Sequence, residues 1–388
     1  MMRPRQGRGG APTAGLVLSG GGARGVFQVG VYERLLEDPR FARGPAVISG
    51  TSAGGINAAL IAAGKSPREM LQFWNEIADY PPVTASPAFF DGAVRTLARL
   101  GMDETIRWLS TTGPLRAFLQ RLPRRLALCP GGLVAPWVEY LLTSRFELVS
   151  RFLEGIREPF VVDTAPLRAR LVDAFRGERV PNRGIRLALN TVDANTGQVV
   201  RFVTAPVLPS PEYVVVDAIT VDMVLASASI PLLFPPVQIG SHLLWDGGLL
   251  VNTPLAPVVA LGADEIVTVL VTEQAEPNPA PFAHFGRAVE RIVDTFLENA
   301  YNIDRKLLLE RNHATRRHGG RYRDVILYEA VRPRRDACFN TGSYLYFERR
   351  ILSAMYEAGR RAAKDWLDAG PRVDHLDEPA VTLAALVD

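Results

Sequence analysis

Hydrophobic and polar positions follow two different periods in the first 65 residues, and each period predicts one kind of element. The apolar runs Ala14–Ser19 and Ala46–Ser49 are short and lead into glycine, as buried strands often do. Val26–Glu37 carries apolar residues at helical spacing, and Ala53–Ala63 is a helix-like run of small residues. Two successive strand–turn–helix units predict an α/β fold with a parallel sheet.

Further elements are predicted along the rest of the chain. Strands are expected at Ile185–Thr191 and Gln198–Val203, on either side of the turn Asp193–Gly197, and then at Val237–Trp245, Glu265–Thr272 and Val325–Glu329. Helices are expected at Met223–Ser227, Phe282–Arg311 and Tyr344–Asp368.

The segment from Tyr80 to Phe160 has a different character. Its short amphipathic stretches, Val94–Leu100, Leu115–Leu128 and Trp137–Phe146, are interleaved with arginine. Two interpretations remain open at this point. The segment is either a helical insertion on the surface of the core or a lid whose apolar face meets a lipid surface.

Composition narrows the class of protein. A chain of 388 residues with 47% hydrophobic and 22% charged residues can bury a large core and does not have the composition of a disordered chain. No nucleic-acid-binding motif is recognisable, and two distant cysteines support neither a disulfide framework nor a zinc site. Met1–Gly15 lacks the apolar core of a signal peptide, and no stretch approaches the roughly 20 apolar residues of a membrane span. A soluble, cytoplasmic protein that does not bind nucleic acid is expected.

The first candidate for chemistry is the string Gly50-Thr51-Ser52-Ala53-Gly54, which matches GxSxG. This motif needs small neighbours because its serine lies on a tight strand-to-helix turn that exposes the hydroxyl. A strand is predicted before the string and a helix after it, as the turn requires. The start of that helix would direct the positive end of its dipole at Ser52.

The second candidate is Gly20-Gly21-Gly22-Ala23-Arg24-Gly25, which also lies between a predicted strand and a predicted helix. It could supply backbone N–H groups to an oxyanion hole, cradle a nucleotide, or form a plain tight turn. A dinucleotide site expects an acidic residue at the end of the next strand. That strand instead leads into the GxSxG string, which favours the oxyanion hole.

The third candidate is Asp246-Gly247-Gly248, at the end of a predicted strand. An aspartate in this position is usually a turn former. None of the five histidines has a context that suits a general base, so Asp246 becomes the economical choice. A carboxylate is a weak base toward a serine hydroxyl, and burial would be needed to raise its pKa.

The three motifs, in this order, resemble those of the patatin-like phospholipase family, and the Ser–Asp pair is also similar to that of the cytosolic phospholipase A2 family. Secondary resemblances lie at Asp163–Leu167, Ala226–Pro231 and Asn252–Pro254. The resemblance implies a three-layer α/β/α sandwich with a mostly parallel central sheet. It implies a catalytic domain at 14–272, with the insertion at about 80–160, and a mainly helical C-terminal segment at 273–388 that packs on the core.

For the chemistry, the resemblance implies Ser52 as nucleophile, Asp246 as base and the glycine loop as oxyanion hole. It implies no metal and no cofactor, and it leaves Arg24 either to fix the loop or to approach a lipid headgroup. The expected function is a serine lipid acyl hydrolase of phospholipase A or lysophospholipase type, whose partners are a lipid ester and, by hypothesis, a membrane surface. The alternatives are an esterase or thioesterase for monoacylglycerol or acyl-CoA, and an inactive membrane-binding scaffold.

Overall fold

A computed structural model of the chain describes residues 12–110, 146–273, 285–318, 323–334, 338–339 and 341–376. It contains two compact units. The first comprises Met1–Val83, Thr164–Pro231 and Pro236–Asp388, and the second comprises Thr84–Asp163 with Leu232–Pro235.

The elements are numbered in chain order. The strands are β1 (Ala14–Leu18), β2 (Val47–Gly50), β3 (Thr84–Ala85), β4 (Val162–Asp163), β5 (Arg186–Asp193), β6 (Val199–Val203), β7 (Tyr213–Val215), β8 (Val237–Ile239), β9 (His242–Asp246), β10 (Glu265–Val269) and β11 (Ile326–Leu327). The α-helices are α1 (Gly25–Leu36), α2 (Ala53–Ala62), α3 (Pro67–Asp79), α4 (Pro87–Ser110), α5 (Phe146–Gly155), α6 (Ala165–Phe175), α7 (Val221–Ser227), α8 (Leu255–Ala260), α9 (Phe285–His318) and α10 (Arg349–Asp368).

The first unit is built on a sheet in which parallel pairs predominate. Its main path runs β11-β10-β1-β2-β5-β6-β7, and the strands from β11 to β5 are all parallel to their neighbours. Antiparallel pairing enters at β5, which pairs with both β6 and β9. The carboxyl ends of β1 and β2 therefore lie at one edge of the sheet, where open α/β sheets commonly bind ligands.

Both faces of this sheet are covered by helices. In β1, Leu16 and Leu18 join one hydrophobic cluster with α1, α2 and α10, whereas Val17 joins a second cluster with α8 and α9. β2 divides in the same way, with Ile48 in the first cluster and Val47 in the second. Successive strand residues point to opposite faces, so the helices form a layer on each side. The predicted α/β/α class with a mostly parallel central sheet is confirmed.

The second unit contains the described part of the predicted insertion from Thr84 onward. Its helices α4 and α5 approach closely, since a Cβ atom added to Gly155 would lie 2.2 Å from Thr96 Cγ2. An ion pair between Arg151 and Asp103, 3.2 Å long, also joins them. The predicted stretch Val94–Leu100 lies within α4, whereas Leu115–Leu128 and nearly all of Trp137–Phe146 fall outside the described residues.

One sequence expectation was wrong. Val237–Trp245 was expected to be a single strand, but β8 and β9 form an antiparallel hairpin in which Ile239 pairs with His242. The turn between them contains Gly240 with φ of 57°, a conformation that glycine adopts without steric cost.

Helix α3 was not predicted, although its start is marked in the sequence. The Ser66 hydroxyl accepts a hydrogen bond from the Glu69 N–H, and the Glu69 carboxylate accepts one from the Ser66 N–H. Pro67 occupies the first turn of the helix. Together these form a capping box, which satisfies N–H groups that have no partner inside the helix.

Candidate active site

Ser52 lies at the turn between β2 and α2, as the GxSxG string predicts. Its φ of 57° is unusual for a residue with a side chain, and such strained backbone collects at functional sites. The turn is closely packed: a Cβ atom on Gly50 would lie 2.2 Å from the Gly54 carbonyl oxygen, and one on Gly54 would lie 2.3 Å from that of Leu18. Only glycine fits at either position, which explains the motif in steric terms.

The orientation of the turn is held by hydrogen bonds from its own backbone and side chains. The Ser52 N–H donates to the Ser227 carbonyl oxygen over 2.8 Å and lies 3.2 Å from the Ser227 hydroxyl. The Thr51 hydroxyl donates to the Val251 carbonyl oxygen over 2.9 Å. Ser52 is the residue that precedes the first turn of α2, so the positive end of the helix dipole is directed at it.

Asp246 is the last residue of β9, where pairing with Thr191 of β5 holds its backbone. Its carboxylate lies beside the Ser52 side chain, whose polar interaction lowers the pKa of the carboxyl, and it accepts the Gly248 N–H over 2.7 Å. Asp246 is 4% exposed and Ser52 is 7% exposed. The structure therefore brings together the two residues that the sequence proposes as base and nucleophile.

Burial dominates the electrostatics of Asp246. The loss of hydration raises the pKa of its carboxyl from 3.8 to about 7, and the hydrogen bonds from Ser52 and Gly248 act in the opposite direction. A buried carboxyl resists ionisation because the charged form loses more hydration than the neutral form. A base with a pKa near neutrality suits proton transfer at physiological pH.

The two glycines after Asp246 are also closely packed. A Cβ atom on Gly247 would lie 2.4 Å from the carbonyl oxygen of Asn190. One on Gly248 would lie 3.0 Å from the Asp246 carboxylate, close enough to disturb the hydrogen bond between them. The Asp-Gly-Gly string therefore lets the chain enter the 3-10 turn Gly247–Leu249 directly after the carboxylate.

The Gly20–Gly25 loop lies beside Ser52, since a Cβ atom on Gly20 would be 3.0 Å from Ser52 Cβ. Some of its N–H groups are already engaged: Gly20 donates to the Asn252 carbonyl oxygen, and Arg24 donates to that of Gly21. The Gly25 N–H also donates within the loop.

The N–H groups of Gly21, Gly22 and Ala23 donate to no acceptor among the residues that the structure describes. The same holds for the Ala53 N–H, which follows the serine in the turn. The oxyanion-hole prediction for the whole loop therefore narrows to Gly21, Gly22 and Ala23. Unengaged N–H groups beside a hydroxyl can stabilise negative charge that develops near it.

Arg24 is completely buried, which decides between its two expected roles. Its guanidinium donates to the Ser343 hydroxyl over 2.8 Å, to the Val271 carbonyl oxygen over 3.3 Å and to the Glu290 carboxylate over 3.4 Å. A side chain with no exposed surface is not placed to meet a headgroup in solvent. Arg24 fixes the loop to the interior.

Two residues with structural roles at the site were not identified as such from the sequence. Asn252 accepts the Gly20 N–H at its carbonyl oxygen, and its side-chain amide lies 3.4 Å from the Gly20 carbonyl oxygen. Ser227 anchors the backbone of Ser52. Both lie in strings noted only as secondary resemblances, Asn252–Pro254 and Ala226–Pro231.

Metal-ligand groups and histidine–carboxylate pairs are two further arrangements that bear on the chemistry. Within the described ranges, no group of three or more His, Cys, Asp and Glu side chains could hold a metal ion. The half-exposed His242 is paired with the buried Asp193 at 2.7 Å.

Comparison with known proteins gave one family match. The model of the family described as Patatin-like phospholipase matches residues 16–259, more than half of the chain. No curated protein matches the chain.

Among solved structures, VipD from Legionella pneumophila is 15% identical with a TM-score of 0.39, over 94% of this chain and 68% of that one. The heterodimeric ExoU–SpcU complex from the type III secretion system of Pseudomonas aeruginosa is 19% identical with a TM-score of 0.25, over 76% of this chain. The chain spans about half, 52%, of that second protein.

Proposed function

The chain belongs to the patatin-like phospholipase family, and we propose that it is a serine lipid acyl hydrolase of phospholipase A or lysophospholipase type. In this proposal the protein cleaves carboxylic esters through Ser52 and Asp246. The observation that carries it is that a serine on a strained turn lies beside a buried carboxylate whose pKa is raised to about 7.

The first half of the reaction forms an acyl-enzyme. Ionised Asp246 takes the proton of the Ser52 hydroxyl as its oxygen attacks the ester carbonyl. The tetrahedral oxyanion accepts hydrogen bonds from the N–H groups of Gly21, Gly22 and Ala23, each worth about 3 kcal/mol by comparison with other acyl hydrolases. When the carbon–oxygen bond to the alcohol breaks, protonated Asp246 returns its proton to that alcohol.

The second half releases the fatty acid. Asp246 takes a proton from a water molecule, whose oxygen attacks the acyl-enzyme carbonyl. The bond to Ser52 breaks, and the proton passes back to the Ser52 oxygen. One carboxyl group thus performs every proton transfer, and no metal or cofactor takes part in the proposed cycle.

The pKa of Asp246 supports this assignment. An ordinary aspartate, with a pKa near 4, would be a poor proton acceptor for a serine hydroxyl. Burial brings the carboxyl closer to the basicity of a histidine while leaving it ionised in a substantial fraction of molecules at pH 7 to 8.

The decisive experiment replaces Ser52 with alanine. Hydrolysis of phospholipid, lysophospholipid, monoacylglycerol and acyl-CoA should be measured for the wild type and for Ser52→Ala, which we expect to be inactive on all of them. Ser49→Ala is the matched control, because Ser49 is a buried serine of β2, three residues before Ser52. A fluorophosphonate should label the wild type at Ser52. Labelling at another serine, or retained activity in Ser52→Ala, would contradict the proposal.

The same panel separates the alternatives. A preference for monoacylglycerol or acyl-CoA over both phospholipids would favour the non-phospholipid esterase or thioesterase. Absence of hydrolysis and of labelling in a folded wild type would leave the inactive membrane-binding scaffold.

A membrane surface is proposed as a second partner, on the evidence of α4. None of the described helices has the length and apolar character needed to cross a membrane. Phe90, Val94 and Leu97, spaced for one face of α4, are nevertheless exposed, and Leu97 is 64% exposed. An apolar helix face of this kind suits the interfacial region of a bilayer. We propose a cytoplasmic protein that binds such a surface peripherally.

Only some of the arginines predicted to flank this face lie within the described residues. Arg95 and Arg99 lie on α4, whereas the side chain of Arg107 and the predicted lid arginines Arg116, Arg121, Arg124 and Arg125 fall outside the described residues. Vesicle binding that increases with anionic lipid and weakens with salt would support the lid hypothesis.

A further inference from the structure

The oxyanion loop is tied to a part of the chain beyond the family match. The Arg24 guanidinium donates to Ser343 and to Glu290, and its Nη1 atom lies 3.6 Å from the carboxylate of Asp294. Glu290 and Asp294 are on α9, and Ser343 is in the 3-10 helix Thr341–Tyr344. All of these partners follow residue 259, where the match ends.

Tyr344 connects the same cluster to the loop backbone. Its ring lies over the guanidinium, 3.7 Å from the Arg24 Cζ atom to the ring centroid, and its hydroxyl donates to the Asp294 carboxylate. Its own carbonyl oxygen lies against Gly22, where an added Cβ atom would approach it to 2.0 Å. Tyr344 therefore packs on the charged side chain of the loop and on its central glycine.

The loop needs such external support because of its composition. Gly21 and Gly22 have no side chains that could pack or hydrogen-bond, and glycine loses more conformational freedom on ordering than any other residue. Gly22 is held at a φ of 55°. One end of the loop is anchored where Gly20 is hydrogen-bonded to Asn252, and the other end is anchored through Arg24.

We propose that Arg24, Asp294 and Tyr344 are positioning residues that hold the N–H groups of Gly21, Gly22 and Ala23 in the geometry that stabilises the oxyanion. The segment beyond residue 259 is then a component of the active site. This inference rests on the function proposed above. None of the three positioning residues touches the substrate, and all of them act through the loop.

The test compares two conservative variants with a control. Arg24→Lys keeps the charge but loses the planar fork that reaches Ser343, Val271 and Glu290 together. Tyr344→Phe keeps the ring over the guanidinium but loses the hydroxyl that bonds Asp294. Arg305→Lys is the control. Arg305 lies on α9, like Glu290 and Asp294, but it is paired with a different carboxylate, the buried Asp374, at 2.6 Å.

The readout is kcat and KM for a p-nitrophenyl ester of a short fatty acid, expressed per site labelled by a fluorophosphonate at completion. Misplacing catalytic groups by about 1 Å can cost about 100-fold in rate. We expect kcat to fall about 30-fold or more in Arg24→Lys and about threefold to tenfold in Tyr344→Phe. KM should stay within about twofold. The control should lose thermal stability and retain its kcat.

The pH profile adds an independent readout. Because the cluster does not contact Asp246, the midpoint of kcat/KM against pH should stay in place while the height of the profile falls. Unchanged kcat in both variants, or a fall in the Arg305→Lys control equal to theirs, would overturn the positioning role. A wild type that neither hydrolyses the ester nor reacts with the fluorophosphonate would instead refute the proposed function.

Discussion

Replacing Asp246 with asparagine should stabilise the folded protein above pH 7 while abolishing its activity. The carboxyl is buried, and its pKa is raised from 3.8 to about 7 even though the interactions with Ser52 and the Gly248 N–H lower it. Asparagine has nearly the same shape, and its oxygen can still accept the Gly248 N–H. The variant therefore removes the cost of burying a charge and leaves the surrounding packing in place.

The sign and size of the effect follow from linkage. Between pH 4 and 7 the folded carboxyl is protonated while the unfolded carboxyl is ionised, so rising pH lowers the free energy of unfolding of the wild type. Above about pH 7 the carboxyl is ionised in both the folded and the unfolded protein, and the free energy of unfolding falls no further. The pKa of Asp246 differs between the unfolded value of 3.8 and the folded value of about 7. At about 1.4 kcal/mol per pKa unit, the loss of unfolding free energy amounts to roughly 4 kcal/mol.

The assay is urea unfolding of the wild type and Asp246→Asn at pH 5 and pH 8. The free energy of unfolding of the variant should exceed that of the wild type by more at pH 8 than at pH 5, and the increase should be more than about 2 kcal/mol. Asp193→Asn is a control in which the effect on stability should have the opposite sign, because a hydrogen bond with His242 lowers the pKa of the Asp193 carboxyl. Its removal should cost stability at neutral pH, and the cost should fade as the pH falls toward the lowered pKa. An Asp246→Asn advantage that is the same at both pH values would refute the reasoning.

Further outcomes follow from the same geometry. The value of kcat/KM should rise with pH and reach half its maximum near pH 7, because Asp246 must be ionised to accept a proton; a flat profile from pH 5 to 9 would contradict this role. Gly22→Ala should lower kcat about 100-fold, since the new Cβ would clash with the Tyr344 carbonyl oxygen at 2.0 Å, whereas Gly92→Ala, in open space, should not. EDTA should leave the rate unchanged, and a loss that added metal restores would argue against the proposed cycle. His242→Ala should lose less than about tenfold in rate; a loss of about 1,000-fold would favour a Ser–His–Asp arrangement. Leu97→Asp should slow hydrolysis of vesicle lipid but spare a soluble ester, and Leu208→Asp, at a residue that is 86% exposed, should affect neither.

Local pattern was sufficient for the elements that carry the motifs. The predicted strand at Ala46–Ser49 and helix at Ala53–Ala63 each agree with β2 and α2 to within a residue at either end. The turn between them was predictable because its requirement is local: small residues must flank a serine that joins a strand to a helix. The capping box at Ser66 was equally readable, and α3 was missed although its signal was present.

The hairpin of β8 and β9 shows where local pattern fails. The residues from Val237 to Trp245 are apolar enough to read as one strand, and only the positive φ at Gly240 divides them. A glycine inside an apolar run is compatible with either outcome. Pairing of β9 with β5 selects the hairpin, and that pairing is a long-range contact.

The sequence by itself determined the chemical groups, their order along the chain and the class of fold that would present them. Tertiary structure alone decided that Asp246 meets Ser52, because the meeting depends on β9 pairing beside β5. It also decided that the Asn252 carbonyl oxygen accepts the Gly20 N–H and that α9 and Tyr344 hold Arg24 in place. Periodicity encodes which face of an element is buried, whereas hydrogen-bond partners and desolvation are set by residues distant in the chain.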